Sequence, residues 1–492
     1  METQSMHPKR VPVLGRAAAL TVAALLGAVG CSTEGFDSSW PEARPLGRDI
    51  APYRPAAEPA EPAADALKVD EPTGTLTLRQ ALTLALARSP ELAAASWEVR
   101  AAEARAIQAG LWPNPEVRLR MGDFGGTGEL EGVDESDQSI RLSQVIEIGG
   151  KAAKRRQVAR SAAALGGWDY EATRLTVFRE TTKAYVDALV AQERLAAAQE
   201  MHDEAKQAVS SITKRVAAGT ALEKDAKEAQ MALGMARIDL DQARRATESA
   251  RGALADHWEA DQPKFQQVAG DLEGLALAEP LPLEQLLDRI PQNPQVARWQ
   301  TDAQMRQADI ELQRANGVPD LRVLVAGHRV ENTRDHGYMV AVEFEVPIFD
   351  RNQGAKREAR FNQIKAAWER KAAISAVTAE LRDAHRALAD SYRAVIVLRD
   401  VVLPAARSAL EIARKAFLGG ADSEISVLKA HRDVFRARDR LVDALGAYHQ
   451  AVADIEHLIA RPISDLGAPM SSRTAGPPLS DAAATTAPSP PE

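Results

Sequence analysis

Few side chains in this sequence are placed to make or break bonds. The nine histidines are scattered. His449 and His457 are not spaced to share a metal, and no pair on one helix has the i, i+4 spacing that a metal-gripping face needs. His328 and His336 flank a loop between two alternating runs and read as surface residues. A phosphate-binding glycine loop, a nucleophile elbow and an HExxH helix are all missing. The one cysteine, Cys31, excludes a disulfide framework and a cysteine-based zinc cluster. What remains is a pair of carboxylates, Glu343 and Glu345, on the polar side of an otherwise apolar alternating run. These residues describe a water-facing wall, and the chain is expected to be no enzyme and to hold no cofactor or resident metal.

The elements that must carry this wall are long and built of small side chains. The chain has 492 residues, 45% hydrophobic but only 4% aromatic. Alanine is the commonest residue, and bulky core fillers are scarce. That composition, rich in Ala, Glu, Lys, Leu and Arg, points to long helices packed closely. A net charge of −8, from 61 basic and 69 acidic residues, gives no electrostatic case for nucleic acid.

His7, Lys9, Arg10 and Arg16 precede an apolar stretch from Ala17 to Val29, which reads as a secretory signal over residues 1–30. The stretch is short for a membrane-spanning helix. Ala28-Val29-Gly30-Cys31 resembles a lipobox, with Ala28 where Leu is usual, and implies cleavage before a lipid-bearing Cys31. Ser32 at the next position resembles lipoproteins sorted to an outer membrane. Ordinary cleavage with an idle Cys31, or an uncleaved anchor, are the other outcomes. Residues 31–75, punctuated by proline, read as an extended tether, and 463–492 as a disordered tail.

The ordered part uses one unit twice, over 76–270 and 271–462. Leu76-Thr77-Leu78-Arg79-Gln80-Ala81-Leu82 followed by Ser89-Pro90 returns as Leu281-Pro282-Leu283-Glu284-Gln285-Leu286-Leu287 followed by Asn293-Pro294. Ser89 and Asn293 are expected to cap helices over 90–110 and 294–316. The period then changes from helical to two. Val117, Leu119 and Met121 alternate with Arg118 and Arg120; Ile140 and Leu142 alternate with Arg141 and Ser143. Later, Leu321, Val323 and Val325 start a strand, and Tyr338, Val340, Val342, Phe344 and Val346 alternate with Met339, Ala341, Glu343 and Glu345. In a soluble sheet the apolar face would meet a helix or a second sheet. In a membrane barrel it meets lipid, and Glu343 and Glu345 face the lumen. Four strands cannot close a barrel, and open edges cannot face lipid, so the membrane reading forces several chains to pool their strands.

A long helical hairpin follows each pair of strands. The first runs from Lys151 to Ala218, breaks at Gly219-Thr220 and returns from Ala221 to Glu259. The second runs from Gly354 to Leu418, breaks at Gly419-Gly420 and returns from Ser423 to Ala460. Val209, Ile212 and Val216 have the spacing of a coiled-coil seam, as do Met231, Met235 and Ile238. The fold class is therefore mainly α with a small β part: long coiled-coil hairpins plus two β-hairpins, in duplicate.

In this order the elements resemble the TolC family of outer-membrane factors, over about residues 76–460. Two segments are similar to a heavy-metal efflux branch typified by CzcC: Ser143-Gln144-Val145-Ile146-Glu147-Ile148-Gly149-Gly150-Lys151, with Val145 where the branch has Pro, and Pro347-Ile348-Phe349-Asp350-Arg351-Asn352-Gln353-Gly354. Both sit at strand-to-helix corners and need touch no substrate. The resemblance implies a homotrimer with a transmembrane β-barrel and a periplasmic α-barrel, set in the outer membrane lipid of a Gram-negative bacterium. It implies a periplasmic adaptor (membrane fusion protein) and an inner-membrane RND-type pump as partners, and divalent heavy-metal cations as cargo. The same channel exporting drugs or small organic molecules, and a non-pore periplasmic coiled-coil scaffold, are the alternatives.

The resemblance also assigns the turns between helices to adaptor contact: Val216, Gly219, Thr220 and Leu222 in the first, Phe417, Gly419 and Gly420 in the second. Apolar Val216, Leu222 and Phe417 at a polar tip suit an interface, and ordinary hairpin packing is the alternative. Asp225 matches the family's tunnel-entrance carboxylate. Ser426 and Lys429 stand where the second acid is usual, leaving Asp422 and Glu424 as its substitutes.

Overall fold

The computed structural model describes residues 39–55, 70–128, 131–133, 135–274 and 277–467. The expected signal and Cys31 lie outside the described residues. A two-residue strand, β1 (Thr75–Leu76), leads to α1 (Leu78–Arg88), which starts in a capping box where Thr77 and Gln80 exchange side-chain and backbone bonds. Ser89 caps α2 (Pro90–Ala109), its hydroxyl accepting from the Leu92 N–H at 3.3 Å, with Pro90 in the first turn. Then come β2 (Glu116–Gly122) and β3 (Asp137–Ile146). The first arm goes out as α3 (Lys151–Ala217) and returns as α4 (Glu223–Asp256), before β4 (Gln267–Val268) pairs in parallel with β1. At 67 residues, α3 is about 100 Å long at 1.5 Å per residue.

The second half opens more tersely, with α5 (Leu283–Leu287) and a 3-10 turn (Ile290–Gln292). Pro291 has no N–H to continue α5. Asn293 caps α6 (Pro294–Asn316), accepting from the Gln295 N–H at 2.8 Å while its amide donates to the Leu458 carbonyl at 3.0 Å. β5 (Leu321–Val330) and β6 (Asp335–Phe344) follow. The second arm comprises α7 (Gln353–Val397), α8 (Leu403–Leu418) and the returning α9 (Glu424–Ile459), with a short α10 (Ser464–Gly467) after it. The outgoing helix is not the unbroken rod expected over 354–418: a π-helical turn, Leu398–Val402, interrupts it. Pro404 cannot donate into the helical ladder, and the Leu403 N–H instead reaches five residues back to the Leu398 carbonyl.

α3 is the central strut, packed by α2, α4, α6 and α9. Side-chain size falls along the arms. At the waist Tyr170, Leu189, Trp258, Phe265 and Leu441 share the largest core. Further out the seam is Met201, Ala205, Ala232, Ala236 and Leu428, and near the tips it narrows to Ile212, Ala229 and Ile425. Alanine seams bring helix axes close, which is where the aromatic-poor composition goes. The seam expected at Met231, Met235 and Ile238 is corrected: these side chains are exposed, and the inward face of α4 is Ala229, Ala232 and Ala236.

Another expectation needs correcting. The tether expected over 31–75 is docked along 40–55, where Leu46 and Ile50 are buried. Trp40 meets Tyr170 edge-on at 4.6 Å, and the Arg44 N–H donates to Glu171 Oε1 at 2.6 Å. The Tyr53 N–H donates to the Leu86 carbonyl at 3.0 Å, and the Tyr170 hydroxyl donates to the Tyr53 carbonyl at 2.8 Å. Burial pushes that hydroxyl's pKa up to about 12. The apolar anchors are too widely spaced for any period to reveal them. Of the expected tail, 463–467 packs back, the Ile463 N–H donating to Glu456 Oε1 at 2.9 Å; residues 468–492 lie outside the described residues.

Candidate functional site: the strand wall and the paired tips

The two β-hairpins join into one antiparallel sheet, in the order β2-β3-β5-β6. The register puts every apolar member of the alternating runs on one face. Val117, Leu142, Val325 and Val340 form one cross-strand row; Leu119, Ile140, Gly327 and Tyr338 form the next. Among the described residues no helix covers this face: Tyr338 is 86% and Val340 72% exposed. Rings stand near both of its ends, Phe124 and Tyr338 at the loop end, Trp112, Phe344 and Phe349 at the helix end, all exposed. Apolar flanks with aromatic ends are the lipid-facing pattern of a membrane barrel. A ten-residue strand, about 34 Å long, spans the hydrocarbon when tilted.

The opposite face is mixed: charged side chains share it with Leu324, Ala326, Met339 and Ala341. Glu343 lies on it, directly across from Arg322, whose guanidinium also reaches Glu116 at 3.3 Å. Glu345 lies one residue beyond the end of β6, because Pro347 cannot extend the ladder. The residues that sequence reading passed over are basic: Arg118 pairs across the ladder with Arg141, and Arg120 with Ser139. The signal was present in the polar half of the alternation, but only the register shows that these charges meet.

The corners that launch the arms are held from both sides. Gly149 and Gly150 adopt φ of +78° and +69° to turn strand into helix. Lys151 Nζ lies 2.8 Å from Asp320 Oδ1, and Arg155 Nη2 donates to Glu147 Oε2 at 3.0 Å. At the second corner Asn352 takes φ +56° and its amide donates to the Gln313 carbonyl at 2.8 Å. All of these contacts are structural.

At the far end the two helical turns meet. Gly219 and Gly420, both at φ +73°, reverse the chain. The Thr220 N–H donates to the Arg215 carbonyl at 2.8 Å, and the Ala421 N–H donates to that of Ala416 at 2.8 Å, closing each turn the same way. Arg215 ties them together: its guanidinium lies 5.0 Å from the Phe417 ring centroid and 3.7 Å from Glu424 Oε2. The Ser211 hydroxyl donates to the same Glu424 oxygen at 2.8 Å. Val216 and Phe417 are half-buried and Gly419 is exposed, while Leu222 and Leu418 stand out at 68% and 82% exposed.

Asp225, Asp422 and Glu424 line one shallow depression of about 550 Å³ between the tips. Asp422 accepts from the Ser426 hydroxyl and the Ser423 N–H, and these bonds, the hydroxyl's first, hold its carboxyl below the usual range. Glu424 is turned inward between the hairpins, whereas Asp225 has no ion-pair partner among the described residues.

Among the described residues no cluster of three or more His, Asp, Glu or Cys is poised to hold a metal, and no helix is long and apolar enough to cross a membrane. Burial lowers the pKa of His449, and burial foremost takes His457 down to about 4. His457 is buried at the waist and His449 half-buried there.

A sheet with one bare apolar face, joined through glycine and proline corners to two long helical hairpins, is the architecture of an outer-membrane efflux channel subunit. The chain belongs to the outer membrane efflux protein family, whose model matches residues 81–258 and 288–461. It is 30% identical over 391 residues to the cobalt-zinc-cadmium resistance protein CzcC of Cupriavidus metallidurans, covering 80% of this chain and 91% of that one. It is 25% identical over 456 residues to the pyoverdine export outer membrane protein OpmQ of Pseudomonas aeruginosa, covering 87% and 92%. Among solved structures, it shares the fold of the open-state MtrE outer membrane channel of Neisseria gonorrhoeae, with a TM-score of 0.65 at 18% identity over 84% of this chain and 98% of that one.

Proposed function

We propose that three copies of this chain close one barrel, and that the resulting duct exports divalent heavy-metal cations delivered by a periplasmic adaptor and an inner-membrane RND-type pump. The observation that carries this reading is the sheet itself. It has four strands, a bare face whose central rows are apolar, and two edges, β2 and β6, unpaired among the described residues. In lipid those edges must pair. Three copies of four strands supply twelve, above the roughly eight that closure needs. The polar face, with Glu343, then lines the lumen, and Glu345 lies at its inner rim.

In this reading the tips receive the adaptor through Val216, Gly219, Thr220, Leu222, Phe417, Gly419 and Gly420, with Asp225, Asp422 and Glu424 at the tunnel entrance. The two repeats, 76–270 and 271–462, each contribute one hairpin and one arm. Residues 1–30 are removed, and Cys31 carries a lipid that holds the chain to the outer membrane. Intact-mass measurement of the mature protein tests the anchor: a diacylated or triacylated Cys31 supports it, and cleavage elsewhere removes it.

Similarity to the cobalt-zinc-cadmium resistance protein supports the metal cargo. Deleting the gene is expected to raise sensitivity to zinc, cobalt or cadmium salts, with tolerance restored by the intact gene. Similarity to the pyoverdine export protein, over most of both chains, supports a second reading in which the cargo is a small organic molecule. Unchanged metal tolerance with raised sensitivity to organic compounds would select it. A well-folded trimer that conducts nothing in planar bilayers would favour a scaffold.

A further inference from the structure

The polar face of the sheet holds more arginine than a passage for cations calls for. Arg118 and Arg141 are direct cross-strand partners, and Arg120 follows on the same strand as Arg118. Like charges placed opposite one another in a ladder destabilise it. Among the described residues none of the three has a carboxylate within ion-pair reach, whereas Arg322 in the same sheet has Glu116 at 3.3 Å. The rest of their rows offers no negative charge: Ala326 and Met339 continue the Arg118–Arg141 row, and His328 and Gly337 continue that of Arg120. The acids on this face flank the two arginine rows: Asp137 and Asp335 lie in the next row toward the loops, Glu116 in the next row toward the helices, and Glu343 one row beyond that. Successive rows on one face are about 7 Å apart, within the Debye length of ~8 Å in physiological salt, so the flanking acids temper the basic band, whose own two rows hold no carboxylate.

We propose that Arg118, Arg120 and Arg141, repeated three times around the lumen, form a basic collar that makes the barrel section anion-selective. Cation cargo then crosses this section together with its counter-anions. Guanidinium groups unpaired by protein carboxylates are free to attract chloride and to bind oxyanions by paired hydrogen bonds. The inference rests on the channel reading above, and one set of measurements separates the two.

Full-length protein is inserted into planar bilayers, and the zero-current potential is read across a KCl gradient. Chloride is expected to be more permeant than potassium in the wild type. R118Q/R141Q is expected to lower the chloride-to-potassium permeability ratio by about twofold or more, and adding R120Q to lower it further. Should the double variant fail to insert, R120Q alone and the wild type at rising salt serve instead. The anion preference should fade from 0.1 M to 1 M KCl as the Debye length shrinks from ~10 to ~3 Å. A conducting wild type that prefers potassium, or a preference untouched by the arginine variants, overturns the collar and leaves the channel standing. A folded wild-type protein that conducts nothing overturns the channel reading, and the collar with it.

Discussion

The first and second halves of the chain build the same hairpin-and-arm unit, alike on the outside and different within. Both β-hairpins present rows of Val, Leu, Ile and aromatic side chains on the bare face. Their polar faces have diverged: the first carries Arg118, Arg120 and Arg141, the second Ala326, Met339 and His328 in the same rows. The waist differs similarly. The first arm buries an ion pair, Arg174 Nε donating to Glu171 Oε2 at 2.8 Å, where the N-terminal strap also docks. The second arm packs its waist with Val377, Leu381, Ile455 and Leu458. Lipid accepts one kind of surface and holds both outer faces to it, whereas lumen and waist tolerate several solutions.

The largest expected effect lies in the buried pair. E171A leaves the Arg174 guanidinium without its carboxylate in the core, which costs about 3–5 kcal/mol. Denaturant midpoints in detergent should fall accordingly, and E171L/R174L should recover much of the loss. A midpoint unmoved by E171A would show that the first waist does not depend on this pair.

The next test separates the two faces of one strand. V340R places a charge on the bare face and should cost about 2–4 kcal/mol of insertion near the bilayer centre, while M339R next to it faces the lumen and should leave insertion intact. Vesicle insertion assays compare the two directly. Equal loss from both would break the assignment of outside and inside.

The second waist has its own buried acid. Glu456 has no cation partner among the described residues, and burial raises its pKa to about 7. A raised carboxyl favours the folded state while it is protonated, and that contribution is lost as pH rises through about 7. Neighbouring His457, lowered to about 4, works the other way, losing its contribution as pH falls toward that value. E456Q should therefore gain melting temperature over the wild type as pH rises from about 5 to 8, and a pH-independent difference would refute the burial argument.

The smallest effect is expected at the tips. R215A removes the contact between the first turn and Phe417 of the second, worth about 0.5–1 kcal/mol. Hydrogen exchange should quicken around 215–222 and 416–424 and nowhere else.

Much of this was legible in the sequence, for reasons that differ by element. Alternation fixed which strand residues share a face, because a period of two is local. Ser89, Asn293 and the glycine turns announced helix ends through cap and φ preferences that also act locally. The π-helical turn was missed although Pro404 stands in the middle of the arm, because a proline can kink, break or re-register a helix. The docked strap rests on Trp40 and Leu46 meeting Tyr170, Leu175 and Ala460, more than a hundred positions away. The basic patch needed the β2–β3 register, and Glu424 needed the second arm laid beside the first before its partners Ser211 and Arg215 came into view.

The central claim is that unpaired strand edges are completed by two further copies. Native mass spectrometry of the mature, detergent-solubilised protein tests it most directly. The account predicts three chains per assembly, persisting on dilution. A stable monomer or dimer that still inserts into bilayers would contradict it.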